Sequence, residues 1–353
     1  MRKGKRLVAW VMAVVMLFTI CVFGGNGTAE AAAATPVAKH GRLSVKGADL
    51  VDSKGNKFQL RGISTHGINW DVGSPYVNKK AFKTLRDDWG VNAIRLAMYT
   101  EEYNGYCSGG SQADLRKLVD KGVGYATDLG MYAIIDWHIL SDGNPNKNKA
   151  QAKKFFTTMA KKYKNNKNVI YEICNEPNGC SWKEIKSYAT DIIKTIRKYD
   201  KKAVIIVGTP TWSQLGTDGT SNEVANSPIK GYKNIMYSLH FYASEWSHNE
   251  YLPAKVAYAR KKKLPIIVSE FGLSPASGDG AINKASADKW MKLLNKYNIS
   301  YFCWSLSNKN ESASLLKPST KKTSGWKSGD LSTAGKYIKK KYLARKKALG
   351  KKA

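Results

Sequence analysis

NVIYEICNEPNGC, residues 168–180, runs apolar and β-branched through Val169, Ile170 and Ile173, then breaks on Asn175-Glu176-Pro177. A short apolar run of this composition is the pattern of a buried strand. Pro177 has no amide hydrogen to give a ladder, so the strand must stop by Glu176 and carry that carboxylate at its carboxyl end. The same design recurs 94 residues on, where LPIIVSEFG (264–272) ends on Glu270 and Gly272. Two apolar strands each lift a carboxylate out of a core to one rim.

Outward from these two strands the chain has a rhythm. Strand candidates end near Ser64, Ala97, Asp136, Cys174, Gly208, Leu239, Glu270 and Trp304, about 31 to 39 residues apart, which is the size of a βα unit. Helical patterns fill the gaps. Ile185, Tyr188, Ala189, Ile192, Ile193 and Ile196 form one apolar stripe behind a Ser181/Glu184 capping box. Leu115, Leu118, Val119, Gly122 and Val123 repeat the stripe earlier. Before the first strand, residues 41–60 alternate and turn at Ser53-Lys54-Gly55-Asn56, like a hairpin leading into the barrel. Eight strands alternating with helices predict an α/β fold, a (β/α)8 barrel forming a single catalytic domain. An open doubly wound sheet is the alternative, but no G-x-G-x-x-G follows the first strand.

In such a barrel the chemistry sits where the strands end. His66 follows strand one, Arg95 ends strand two, and His138 follows strand three. Asn175 and Glu176 end strand four, and Trp212 follows strand five. His240 and Tyr242 end strand six, Glu270 ends strand seven, and Trp304 ends strand eight. A single His or Trp at such a place is ordinary packing. Eight strand ends each presenting a polar or aromatic group are not. A pair of carboxyls on one rim is what glycoside hydrolysis requires, one to donate a proton and one to attack or to activate water. Glu176 must then stay protonated, which the charge of Glu270 would promote, and Arg95 would favour ionised Glu270. Glu172, four residues before Glu176, points to the same side of its strand and sits roughly 13 Å below the rim at a rise of about 3.3 Å per residue. A carboxylate that deep needs a partner, and Arg61 on strand one is the candidate.

The stretches GISTHGINW (62–70), NAIRLAMY (92–99), IIDWHILSDGNPN (134–146), VIYEICNEPN (169–178), GTPTWSQ (208–214), SLHFYA (238–243), PIIVSEFG (265–272) and WSLSNKNES (304–312) together resemble glycoside hydrolase family 5, specifically its secreted bacterial endo-β-1,4-glucanases. They span all eight strands in order, so the match covers essentially the whole chain from about residue 41 to 342. The resemblance implies Glu176 as acid/base and Glu270 as nucleophile of a retaining mechanism. It implies that Arg95 and Tyr242 hold Glu270 and that Asn175 bonds the sugar's 2-hydroxyl. His138 and His240 would line the cleavage subsite over a floor made by Trp304. Lys309 and Glu311 match positions that contact the adjacent glucose, and His66, Trp70, Tyr99 and Trp212 match positions lining the cleft. The implied substrate is a β-glucan, and no cofactor or metal is implied. Activity on mannan, mixed-linkage glucan or xyloglucan stays open, and a non-catalytic glycan-binding protein would not need both carboxylates.

Arg2, Lys3, Lys5 and Arg6 precede an apolar run and small residues through Ala34, the pattern of a secretory signal over residues 1–34 rather than of a membrane anchor. The mature protein is therefore expected outside the cell, with no membrane attachment. Residues 35–343 are expected to form the catalytic domain and 344–353 a basic, frayed tail. Cys107, Cys174, Cys180 and Cys303 remain after the signal; the second and fourth end predicted strands, and Cys107 with Cys180 could pair in rim loops. Loss of Arg2, Lys3, Lys5, Arg6 and Glu30 with the signal lowers the formal charge from +31 to +28. Such a surface suits anionic cell-wall polymers. Nucleic acid is not expected, because no aromatic platform interleaves the lysine runs.

Overall fold

The computed structural model describes residues 34–351; the expected secretory signal, apart from Ala34, lies outside the described residues. A short hairpin comes first, β1 (Ser44–Lys46) and β2 (Asp49–Val51). Eight strands follow: β3 (Arg61–Thr65), β4 (Ala93–Tyr99), β5 (Tyr132–His138), β6 (Val169–Glu172), β7 (Ile205–Val207), β8 (Ile235–Tyr242), β9 (Ile266–Gly272) and β10 (Tyr301–Leu306). They pair in parallel in chain order, and β10 closes on β3. The (β/α)8 barrel expected from the βα spacing is therefore the fold.

Period-two alternation divides every strand between two environments. On β5, Ala133, Ile135 and Trp137 pack outward against the helices, whereas Tyr132 and Ile134 belong to a second cluster inside the barrel. That inner cluster joins Ile170, Ile206, Met236, Ile267 and Phe302 to Leu43, Leu50, Phe58 and Leu60 of the hairpin region, which plugs the amino end. Gly62 must lack a side chain here, since a Cβ would stand 2.0 Å from the Phe302 ring. Further along the same inward rows the residues turn polar: Asp136 and His138 on β5, Arg95 on β4, Glu172 on β6. The interior is thus apolar at one end and charged at the other, and the site sits on the charged end.

The helix Trp182–Arg197 carries the expected Ser181/Glu184 capping box and buries the expected stripe. Two tight turns shape the leading segment. One lies between β1 and β2, and one spans 52–56, where Asp52 Oδ1 accepts from the amides of Lys54 and Asn56.

Three expectations need correction. Strand β6 ends at Glu172, four residues before Glu176, so Glu176 rides on a loop. Arg61 is not the partner of Glu172; its guanidinium turns to the carbonyls of Gly90 and Gln59, because Arg61 begins β3 at the amino end of the barrel. The basic run expected as a tail lies, as far as Gly350, inside the helix Thr333–Gly350. It is held there by Arg345, whose Nε donates to Gln59 Oε1 at 2.8 Å. The four cysteines carry free thiols, Cys107 and Cys180 included.

Candidate active site

Arg95 is the centre of the charged end. Its side chain is fully buried, and its nitrogens reach Glu172 Oε2 at 2.7 Å, Glu270 Oε2 at 2.9 Å, Asp136 Oδ2 at 3.0 Å and Asn175 Oδ1 at 2.5 Å. Although burial opposes its charge, Asp136, Glu172 and Glu270 together raise its pKa, so it stays a cation. Glu172 lies one layer below the rim carboxylates, and the partner it needs comes from β4.

Asn175 shows how the local hydrogen bonds fix protonation. Its Oδ1 accepts from Arg95, so its Nδ2 must donate, to the carbonyl of Ile139 and to His138 Nε2 at 3.2 Å. His138 therefore accepts on Nε2 and holds its proton on Nδ1, 2.5 Å from Asp136 Oδ2. Burial, then the charge of Arg95, pushes His138 down to about 3, so the ring is neutral. Burial pushes Asp136 the other way, up to about 7.

Glu270 is buried between two donors, Arg95 and the phenol of Tyr242, which reaches its Oε1 at 2.7 Å. Tyr242 is seated against Gly272, where a Cβ would meet its ring at 2.5 Å. Glu176, half-buried opposite, has one oxygen 2.8 Å from His240 Nδ1. Burial raises Glu176 to about 8, and Asp136 and Glu172 add to the rise against the pull of Arg95. Desolvation, rather than the charge of Glu270 as expected, is the main cause. His240 is driven down to about 4 by burial, and Ser269 Oγ lies 2.9 Å from its Nε2. One oxygen of Glu176, one of Glu270 and a ring nitrogen of His240 lie within 4.8 Å of one another. These three could also ligate a metal, but both oxygens of Glu270 are already engaged by Arg95 and Tyr242, and the two ring nitrogens of His240 by Glu176 and Ser269.

Around the carboxyl pair lies an open cleft of about 620 Å3. Trp304 lines it and stacks on His138, with ring centroids 5.3 Å apart. Trp70, Tyr99 and His66 crowd the same wall, Trp70 lying 4.5 Å from Tyr99. Lys309 and Glu311 pair at 2.5 Å, and His66 Nε2 stands 3.7 Å from Glu311. Burial and nearby Lys309 lower His66 to about 3, leaving it neutral. Across the cleft stands Trp212, 45% exposed. It belongs to three consecutive non-glycine residues with positive φ, Thr211, Trp212 and Ser213. Such backbone costs of order 1 kcal/mol or more per residue and persists where the surroundings impose it. Here Trp212 N donates to the Pro177 carbonyl and Ser213 Oγ to that of Asn175, so the loop is tied to the acid-bearing segment.

Of the fourteen residues singled out from the sequence, twelve line this cleft. Arg95 and Asn175 do not; they are buried beneath it and support it. The sequence argument missed Glu102, Leu140, Gln214, Glu245, Ser247 and His248 on the walls. Gln214 ends the stretch GTPTWSQ, and His248 lies six residues beyond Tyr242, whose backbone N donates to its Nδ1. Their position just beyond the ends of β7 and β8 was the available signal.

A family model described as cellulase (glycosyl hydrolase family 5) matches residues 51–310. The chain is 46% identical over 339 residues to an endoglucanase of Clostridium saccharobutylicum, covering 95% of this chain and 72% of that one. It is 45% identical over 325 residues to Endoglucanase 5 of Pectobacterium carotovorum, covering 92% of this chain and 62% of that one. Among solved structures it resembles the catalytic domain of a Thermobifida fusca endoglucanase crystallised in complex with cellotetraose. That match has a TM-score of 0.81 at 37% identity and covers 88% of this chain and 100% of the other.

Proposed function

The chain belongs to glycosyl hydrolase family 5, the cellulase family, and we propose that it cleaves internal β-1,4-glucosidic bonds of cellulose and related β-glucans with retention at the anomeric carbon. The observation that carries the mechanism is the carboxyl pair, whose nearest oxygens lie within 4.8 Å of each other. Retention needs carboxyl groups about 5–5.5 Å apart, whereas inversion needs about 6.5–9.5 Å to admit water between them.

Glu270 attacks the anomeric carbon, and the glycosidic oxygen leaves as it takes the proton of Glu176. Arg95 and Tyr242 hold both Glu270 oxygens in line. His240 Nδ1, 2.8 Å from one oxygen of Glu176, positions the carboxyl that carries the transferable proton. Water, deprotonated by the same Glu176, then displaces Glu270 from the glycosyl-enzyme. Internal cutting is supported by the placement of aromatics on opposite walls: Trp70 follows β3, and Trp212 follows β7, four strands away in the closed order.

The test follows both claims at once. A soluble cellulose derivative should lose viscosity early relative to reducing ends released, and proton NMR should show the β-anomer of the new end first. Disaccharide release with viscosity preserved would overturn internal cutting, and an α-anomer appearing first would overturn retention.

A second reading concerns where the protein works. We propose that it is exported and that its basic surface holds it on anionic wall polymers. What favours this is an accumulation of exposed bases where helices end at the amino face of the barrel: Lys161, Lys164 and Lys167, then Lys198, Lys201 and Lys202, then Lys261, Lys262 and Lys263. The nearby acids are already engaged, Asp49 by Arg260 and Lys57, Asp52 by His40 and Asp200 by Arg42.

A further inference from the structure

The cleft walls stop at Trp212, Glu245 and Ser247, but exposed aromatic surface does not. Trp246 stands between the last two, the first residue of the helix Trp246–Lys261, and 68% of it is exposed. Tyr251, 38% exposed, meets its ring edge-on at 5.8 Å. An indole left in water gains nothing for the fold, and exposed apolar surface of this kind beside a cleft marks a contact.

The backbone beneath these rings is pinned. Asn249 Nδ2 donates to the carbonyls of Ala243 and Glu245, and its Oδ1 accepts from Trp290 Nε1. His248 takes the backbone N–H of Tyr242, the residue that holds Glu270. The Tyr251 ring lies against Gly219, where a Cβ would stand 2.9 Å from it. Gly219 belongs to the loop that carries Trp212 and Gln214. Buried Lys255, on the same helix as Tyr251, fixes that loop by donating to the carbonyls of Gln214 and Asp218. Trp212, Trp246 and Tyr251 are therefore carried by one linked loop and helix, and polar Gln214, Glu245 and Ser247 of the same segments line the cleft.

We propose that Trp246 and Tyr251 form an outlying glucan subsite, continuous with the Trp212 side of the cleft, on which sugar units beyond the cleavage site stack. The proposal rests on the β-glucanase reading above. The apolar C–H faces of a β-linked glucose suit aromatic faces, and preset rings lose little freedom on binding. The subsite acts on long chains only, because a short substrate bound at the carboxyl pair does not reach it.

The experiment compares Trp246→Ala, Tyr251→Ala and Trp246→Phe with the native protein on a chromogenic cellobioside and on a soluble cellulose derivative. On the polymer, kcat/KM should fall about tenfold for Trp246→Ala, the loss for a contact worth about 1.4 kcal/mol. Tyr251→Ala should fall less, and Trp246→Phe should recover most of the loss. The cellobioside, too short to touch either ring, is the reference within each variant. Equal loss on both substrates, or no loss on either, would overturn the proposal. Affinity of cellohexaose, measured by calorimetry in the Glu270→Gln background, is read separately. If the native protein cut no glucan, the enzymatic reading would fall. The subsite would then be judged by whether Trp246→Ala weakens cellohexaose binding, and unchanged affinity would reject it.

Discussion

At the amino end of the barrel the inward side chains are Leu60, Tyr132, Ile134, Ile206 and Phe302, sealed beneath Leu43, Leu50 and Phe58. Two to four residues further along the same rows they are Arg95, Asp136, His138 and Glu172, equally buried. The first arrangement gains free energy by removing apolar surface from water, about 25 cal/mol per Å2. The second gathers one guanidinium, two carboxyl groups and an imidazole, and leaves Asp136 Oδ1 and Glu172 Oε1 without partners. Burying charge in this way often costs more than a well-packed apolar replacement would. Stability is thus built at one end, and part of it is given up at the other to shift protons and hold Glu270.

The largest effect expected from this contrast is on turnover. Glu270→Gln should lower kcat by more than about a thousandfold with the fold intact, because no other group is placed to attack. Glu176→Ala should fail comparably on glucan, yet still form and accumulate glycosyl-enzyme from substrates whose leaving group needs no proton. Mass spectrometry of the trapped species should place the sugar on Glu270. A sugar on Glu172 or Glu176 would contradict the mechanism.

Much of this was legible in the sequence, for a reason specific to barrels. Strand ends face one rim whatever the loops do, so βα spacing and the last polar residue of each apolar run brought His138, Glu176, His240, Tyr242 and Glu270 together. What escaped was distance across the interior. Arg61 and Glu172 lie on strands one and four, but nothing in their spacing says that Arg61 begins its strand at the far end while Arg95 reaches over. The tail was misjudged because a lysine-rich run with few long apolar side chains resembles a frayed end. The helix is held by the packing of Tyr337, Ile338 and Tyr342 and by the bond from Arg345 to Gln59. Gln214 and Glu245 sit in loops and His248 in the first turn of the helix Trp246–Lys261, where no apolar periodicity shows direction.

A second, smaller effect concerns stability and pH. Folding raises Glu176 from 4.5 to about 8 and Asp136 from 3.8 to about 7. The folded chain then keeps protons that the unfolded chain has lost, so these groups make stability fall as pH rises toward 8. Folding lowers His66, His138 and His240 from 6.5 to about 3, 3 and 4. They act in the opposite sense, and only below pH 6.5. Between about 6.5 and 8 the carboxyls are left unopposed. Urea unfolding should show stability dropping across that window, by at most about 2 kcal/mol from Glu176 alone at 1.36 kcal/mol per unit. Glu176→Gln should flatten the slope, and glucan hydrolysis by the native protein should decline over the same range as the acid loses its proton. An unchanged slope in the variant would mean that burial of Glu176 is not its source.

The smallest effect belongs to the amino face. Truncation from Arg345 would be a poor probe of its charge, because Arg345 ties the last helix to Gln59, which in turn donates to the carbonyl of Ile299. Neutralising exposed side chains leaves those contacts in place. With Lys198, Lys201, Lys202, Lys261, Lys262 and Lys263 all changed to Gln, stability should move little, since exposed substitutions usually stay within about 0.5 kcal/mol each. Hydrolysis of soluble glucan should be unchanged, because these lysines lie at the opposite end from the carboxyl pair. Binding to a surface coated with polygalacturonate should weaken severalfold at low ionic strength. That difference should shrink as salt rises, because charges beyond about 8 Å are screened at physiological ionic strength. A neutral glucan surface should bind both proteins alike. If the six-fold variant held polygalacturonate as tightly as the native protein at low salt, the amino face would have no part in attachment.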